Sequence, residues 1–216
     1  MAPLIDKVSA LYVDGPKLET GLRASLEQGG GSFDFVREHP DQWAWINAFT
    51  ADECDSIIAL GKRKKLQIAE TYGRYDTRRK SNVCFLQPSD ETYWIFERLA
   101  GATEHLNDNH FEFELSGFGE GFQFTEYVAP AGKYGWHADN SPSQRIRKLT
   151  LVAQLSDPDD YEGGLLQINP AGNEMTIELE RGQVVAFPSH VLHQVTPVTA
   201  GSRYSLVVWA TGPRFK

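Results

Sequence analysis

From about residue 112 onward the chain is written in short runs of alternating character, and this constrains its fold more than any other feature. Phe122, Phe124 and Glu126 alternate with Gln123, Thr125 and Tyr127. Comparable runs cover Lys148–Leu155, Leu165–Asn169, Glu174–Leu179, Gln183–Phe187 and Ser202–Trp209. Successive side chains of a strand point to opposite faces, so an alternating run predicts a strand with two unlike faces. Turn-forming stretches at Pro158-Asp159-Asp160, Ala171-Gly172-Asn173, Arg181-Gly182 and Ala200-Gly201 separate most of the runs. Many short strands at this spacing predict a double-sheet jelly roll or a barrel, and residues 112–212 suffice for its core.

The first half follows a different grammar. Thr50 and Glu53, three residues apart, form a capping-box pattern, and a helix is expected from there to about Leu60. It would bury Cys54, Ile57, Ile58 and Leu60 and stop before Gly61. Trp94, Ile95, Leu99, Ala102 and Leu106 recur at a spacing of three to four, which predicts a second helix over 91–107. Asn82–Leu86 has the pattern of an edge strand. Residues 10–30 suggest a short strand-like piece, a helix around Leu18–Leu26 and the flexible Gly29-Gly30-Gly31. Neither a linker nor an internal repeat divides the chain. The expectation is one domain over 1–216, mainly β with flanking α-helices, in which 1–111 supplies helical and edge-strand support to the 112–212 core.

A net charge of −8 argues against nucleic acid as a partner, because phosphate binding needs a basic surface. Arg78-Arg79-Lys80 reads as a solvated basic face. No stretch approaches the roughly 18 apolar residues of a membrane span, and the start of the chain lacks a signal-peptide pattern. A soluble, cytoplasmic protein is expected. Cys54 and Cys84, without C-x-x-C spacing, are expected as buried thiols. No heptad pattern predicts an oligomer interface, and the oligomeric state stays open.

His137, Asp139 and His193 carry the chemistry. Two imidazoles and a carboxylate can occupy one face of an octahedral ion and leave the other positions open, as in non-heme Fe(II) oxygenases. If the segment around 137–139 is extended, alternation puts His137 and Asp139 on one face. The same donors suit Zn(II), Mn(II) or Ni(II). His190 stands outside this set, as a rim or loop residue. Downstream, Arg203, Ser205, Val207 and Trp209 share one strand face. An arginine turned into a barrel is costly unless an anion meets it, and a dicarboxylate would provide one, held bidentately by the guanidinium. Thr150, Val152 and Gln154 alternate against Leu149, Leu151, Ala153 and Leu155, so Gln154 would face a cavity if the leucine-rich face packs between layers.

Taken together these residues resemble the Fe(II)- and 2-oxoglutarate-dependent dioxygenases, in particular the prolyl-4-hydroxylase-like branch. The resemblance runs from Trp43-Ala44-Trp45-Ile46 and the Cys54 helix through Tyr127, His137-Ala138-Asp139-Asn140, Arg147-Lys148-Leu149-Thr150 and Tyr161-Glu162-Gly163-Gly164. It continues over residues 185–198 and closes with Gly201–Ser205 and Trp209. It implies a double-stranded β-helix, the cupin-like jelly roll. It also implies Fe(II) on His137, Asp139 and His193, and 2-oxoglutarate held by Arg203 with Ser205, Tyr127, Thr150 and Gln154 around it. Where relatives often carry a tyrosine that reaches 2-oxoglutarate, this chain has Gln154, whose amide could still meet the carboxylate.

The resemblance further implies O2 as the second co-substrate, ascorbate as a candidate accessory, and succinate and CO2 as co-products. Because Asp139 is retained, hydroxylation of an unactivated C–H bond is favoured over halogenation. The resemblance favours a prolyl residue of a peptide or protein as substrate. Alternatives are a free amino acid or other small metabolite, and a non-catalytic metal- and dicarboxylate-binding sensor. Arg78, Arg79, Lys80 and Ser81 resemble an arginine–serine stretch that can line the entrance. Trp136 and Trp209 are candidate cavity walls, and the polar loop from Asp139 to Arg147 is a candidate cover.

Overall fold

The computed structural model describes residues 36–39, 43–69, 78–140 and 146–214. The expected helix at Leu18–Leu26 and the triple glycine lie outside the described residues. In chain order come β1 (Val36–His39), β2 (Trp43–Asn47), α1 (Ala51–Arg63), β3 (Gln67–Ile68), β4 (Arg79–Lys80), β5 (Asn82–Leu86) and α2 (Tyr93–Leu106). They are followed by β6 (Gly117–Phe118), β7 (Phe122–Val128), β8 (Lys133–His137), β9 (Arg147–Gln154) and β10 (Tyr161–Gly163). The last are β11 (Leu166–Asn169), β12 (Met175–Ile177), β13 (Gln183–Pro188), β14 (Leu192–Val195) and β15 (Val198–Thr211). Among the described residues no helix is long and apolar enough to cross a membrane.

The strands form two sheets. The larger has the order β1-β2-β13-β9-β15-β7-β5-β3, with β6 and β10 also paired to β15. The smaller runs β12-β11-β14-β8-β4. The pairings are antiparallel, and strands distant in sequence lie side by side, as the jelly-roll expectation requires. The strand-rich segment does not build the large sheet alone, because β2 and β5 from the first half pair with β13 and β7.

Alternation assigns the two faces of the large sheet. Phe122 and Phe124 of β7, Leu149, Leu151 and Ala153 of β9, Val184 and Ala186 of β13, and Leu206, Val208 and Ala210 of β15 all pack toward the helices. Residues of the other parity, including Tyr127, Val152, Val185 and Phe187, join Leu166, Ile168, Ile177 and Val195 in a second cluster between the sheets. The candidate site lies on that second face.

α1 starts where expected. Thr50 accepts from the Glu53 backbone N–H while the Glu53 carboxylate accepts from the Thr50 N–H, so both arms of the capping box are made. It ends later than the glycine suggested, because Gly61 lies inside the helix rather than beyond it. A Cβ there would come within 2.5 Å of the Phe124 ring, so glycine is what lets α1 lie close against β7. In α2, Ile95, Leu99, Ala102 and Leu106 are buried as the periodicity predicts. Phe96 stacks on Phe122 at 3.9 Å between centroids.

Candidate active site

His137 ends β8 and His193 lies on β14, directly opposite each other across the strand pair. In each ring Nδ1 lies against a backbone carbonyl two residues earlier, Gly135 O at 2.9 Å and Val191 O at 3.0 Å. A carbonyl only accepts, so each Nδ1 carries the proton and each Nε2 is left as the free donor of the neutral ring. Backbone geometry thus presets both tautomers for metal ligation. The ring centroids are 4.1 Å apart, Tyr134 stacks on His137, and Phe187 closes the other side of His193.

Asp139 lies past the end of β8, so strand alternation is not what aims it. Its backbone N–H donates to Ser189 O at 2.9 Å, as does that of Asn140 at 3.0 Å, tying this bend to the loop before β14. Its Oδ1 is 3.6 Å from His137 Nε2 and its Oδ2 is 3.4 Å from His193 Nε2. The three donor atoms all fall within 4.8 Å of one another. With metal–ligand bonds of about 2.1 Å, cis ligands of one ion stand about 3 Å apart, so little movement is needed to hold one. Oδ2 also accepts from Thr150 Oγ1 at 2.8 Å and from Trp209 Nε1 at 2.9 Å, leaving Oδ1 free of those donors. Ser189 Oγ is 3.1 Å from Thr150 Oγ1.

The electrostatics suit a cation. Burial, reinforced by the neighbouring His193, pushes the His137 pKa down to about 3, which keeps that imidazole neutral. For His193, burial also acts downward, but the adjacent Asp139 carboxylate outweighs it and raises the pKa. Burial would raise the Asp139 carboxyl; both imidazoles and the Trp209 N–H overcome that and hold it low. A proton held at the His193–Asp139 pair is the charge a metal ion would replace.

A second polar group lies on the same face of the large sheet. Arg203 and Ser205 on β15 are paired across the ladder with Tyr127 and Gln154. Arg203 is only 2% exposed, and its guanidinium lies 5.7 Å from the centre of the Tyr127 ring. Its Nε donates to Gln154 Oε1 at 3.1 Å, while Nη1 is buried with no hydrogen-bond partner. The buried Ser205 Oγ has none either. Among the described residues no carboxylate forms an ion pair with Arg203. Buried donors of this kind are costly to leave unmatched, and a ligand carboxylate would satisfy them.

Residues 122–211 match the family model described as the 2OG-Fe(II) oxygenase superfamily, a span that includes His137, Asp139, His193 and Arg203. Over those residues the chain is similar to that superfamily. A PKHD-type hydroxylase from Synechococcus sp. (strain CC9605) is 49% identical over 78 residues, 35% of this chain and 35% of that protein. The chain thus spans about a third of the length of the curated relative it matches there. Among solved structures, a Pseudomonas putida prolyl-4-hydroxylase is similar with a TM-score of 0.66 at 21% identity, covering 89% of this chain and 99% of that one. A prolyl hydroxylase from Trichoplax adhaerens, in complex with a hypoxia inducible factor oxygen degradation domain peptide fragment, also has a TM-score of 0.66. It is 16% identical and covers 79% of this chain and 84% of that one. These likenesses establish the jelly-roll fold.

The structure brings the expected site residues into two groups. Thr150 sits at the end formed by His137, Asp139 and His193, bonded to Asp139, and Gln154 sits beside Arg203 with its amide engaged by the protein. His190 is exposed, outside the triad. Residues 141–145 of the expected covering loop lie outside the described residues. Trp209, expected only as a wall, is a donor to Asp139; the strand parity it shares with Arg203 and Ser205 indicated its direction but not this partner. Ser189, Tyr134 and Tyr161 were not singled out. Tyr134 lies on β8 three residues before His137, where odd spacing along a strand predicts opposite faces and so conceals the stacking, and Ser189 reaches the site through loop contacts that leave no spacing signal in the chain.

Proposed function

We propose that this chain is an Fe(II)- and 2-oxoglutarate-dependent hydroxylase acting on a prolyl residue within a peptide or protein, with succinate and CO2 as co-products. The observation that carries the proposal is the presence of two buried polar groups between the two sheets, the histidines on the smaller sheet and Arg203 and Ser205 on the larger. The His137–Asp139–His193 donor set suits a divalent cation, and the unmatched Arg203 and Ser205 suit a carboxylate. The similarity of residues 122–211 to the 2OG-Fe(II) oxygenase superfamily supports Fe(II) and 2-oxoglutarate as the occupants. The like-folded prolyl hydroxylase bound to a peptide supports a prolyl segment as substrate.

Each side chain then has a defined task. His137 and His193 offer Nε2 lone pairs, with the Nδ1 protons fixed on backbone carbonyls. Asp139 supplies the negative ligand, and Thr150 and Trp209 hold its outer oxygen so that the inner one is presented. Arg203 and Ser205 take the distal carboxylate of 2-oxoglutarate and so orient its 2-oxo end toward the triad. His137, Asp139 and His193 would hold Fe(II), which when bound would supply the oxidising chemistry that couples O2 reduction to decarboxylation of 2-oxoglutarate. Val152 and Phe187 keep the inter-sheet space dry.

Anaerobic titration with Fe(II) and then 2-oxoglutarate tests the proposal. A visible charge-transfer band, succinate release on admitting air and a gain of one oxygen in a proline-containing peptide are expected. Metal binding without either of the first two would overturn the oxygenase assignment. Succinate release with every proline-containing peptide left unmodified would overturn the prolyl substrate alone.

A further inference from the structure

The carboxylate end of the site is built around Gln154, and its hydrogen bonds fix more than its own position. Gln154 Oε1 accepts from Arg203 Nε, and Gln154 Nε2 donates to Ser156 O at 3.0 Å and to the Tyr161 hydroxyl at 3.0 Å. The amide cannot be turned over. Arg203 has only donors and the Ser156 carbonyl only accepts, so oxygen must face the arginine and nitrogen must face Ser156. Both amide hydrogens are then committed, and the Tyr161 oxygen is an acceptor. The phenolic proton therefore points elsewhere, and it meets no acceptor among the described residues.

Tyr161 belongs to this corner by packing as well. Its ring lies against the inter-sheet cluster. Gly164, with a φ of +60°, sits under both partners: a Cβ there would come within 3.1 Å of Arg203 Cδ and 3.2 Å of Tyr161 Cε2. The tight Gly163-Gly164 turn lets the ring and the arginine stem share one space. Three donors without acceptors thus border Gln154: Arg203 Nη1, Ser205 Oγ and the Tyr161 hydroxyl.

We propose that Tyr161, held by Gln154, is a third donor to the distal carboxylate of the dicarboxylate co-substrate. The hydroxyl reaches this corner from β10, beside Gln154 of β9. Gln154 is the positioning residue. It spends its own amide on Arg203 and Tyr161 and leaves both of them with a donor to give. A carboxylate has about four lone-pair sites, enough for all three groups. The inference rests on 2-oxoglutarate being the co-substrate.

The test compares two 2-oxo acids by calorimetric titration of the Mn(II)-loaded protein. 2-Oxoglutarate has the distal carboxylate and 2-oxobutanoate lacks it. The unaltered protein is expected to prefer 2-oxoglutarate strongly. Tyr161→Phe should weaken 2-oxoglutarate by about tenfold or more, the range of a hydrogen bond to a charged group. Its 2-oxobutanoate affinity and melting temperature should not change. Gln154→Glu should give the larger loss for 2-oxoglutarate alone, because an internal carboxylate would then occupy both Arg203 and the Tyr161 proton while the fold stays intact. Equal affinity of Tyr161→Phe and the unaltered protein for 2-oxoglutarate, or equal loss for both acids, overturns the role of Tyr161. An unaltered protein that does not distinguish the two acids overturns the co-substrate assignment itself, and this inference with it.

Discussion

The two faces of β9 and β15 carry the same backbone and do opposite things. On one face Leu149, Leu151, Ala153, Leu206, Val208 and Ala210 pack against α1 and α2. On the other, Thr150, Gln154, Arg203, Ser205 and Trp209 are equally hidden from water yet carry hydrogen-bonding groups, two of which have unmatched donors. Burying apolar area stabilises the fold, at roughly 25 cal/mol per Å2. Burying an unmatched donor or a lone guanidinium opposes it. One residue of register therefore separates what holds the protein together from what its ligands must complete.

The largest predicted effect lies on the polar face. Asp139→Asn keeps an oxygen for Thr150 and Trp209 to bond, so the fold should hold and the melting temperature should barely move. Divalent-metal affinity should drop by more than about 100-fold, exceeding what loss of an outer partner typically costs. Metal titration together with thermal melting checks both halves. Collapse of the fold on this change would mean that the polar face also carries stability, and the contrast would fail.

Leu151→Ala makes the reverse test one residue from Thr150. Leu151 is fully buried on the helix side, and its truncation should lower unfolding free energy by about 2–5 kcal/mol in denaturant titration. The protein that remains folded should bind metal and 2-oxoglutarate as before. Thr150→Val sharpens the pair. It preserves shape but removes one donor to Asp139, so metal affinity should fall about 10–100-fold with only a small change in melting temperature. If the two variants behave alike in either assay, the faces are not energetically separate.

Much of this contrast was legible in the chain, because period-two alternation names the two faces without saying where they pack. Parity grouped Arg203, Ser205 and Trp209 on one strand and Thr150 and Gln154 on another, and the β9–β15 ladder, which the sequence does not show, puts all five on one side. The capping box likewise placed the start of α1. Gly61 misled because a glycine ends helices for one physical reason and permits close packing for another. Only the Phe124 ring, far away in sequence, decides between them. Asp139 lay beyond strand logic altogether. Its place depends on backbone bonds to Ser189, fifty residues on, and such loop-to-loop contacts have no period to read. Trp209 was visible as a wall but not as a donor, because parity gives direction and not partner.

The smallest predicted effect probes the seam between the faces. Cys54 on α1 approaches β9 from the helix side, its Sγ 4.0 Å from the backbone carbonyl of Gln154, whose side chain holds Arg203 on the opposite side. Burial pushes this thiol up to about 11 from an ordinary 9.0, with Arg181 opposing the shift, and burial raises Cys84 as well. At pH 8 neither thiol is appreciably ionised, so iodoacetamide should label the native protein at the rate of global unfolding and no faster. The sign for stability follows from the same shift. A folded-state pKa above the unfolded one means that the folded chain keeps a proton the unfolded chain has lost. The contribution is intact below about pH 9 and is lost as the pH climbs from there through about 11. Denaturant titrations at pH 8 and pH 10.5 on the unaltered protein and on Cys54→Ala measure it, and the pH-dependent loss should be smaller in the variant. Rapid labelling of Cys54 at pH 8 in the absence of denaturant would mean that α1 lifts from β9 on its own, and that Gln154 is supported from one face only.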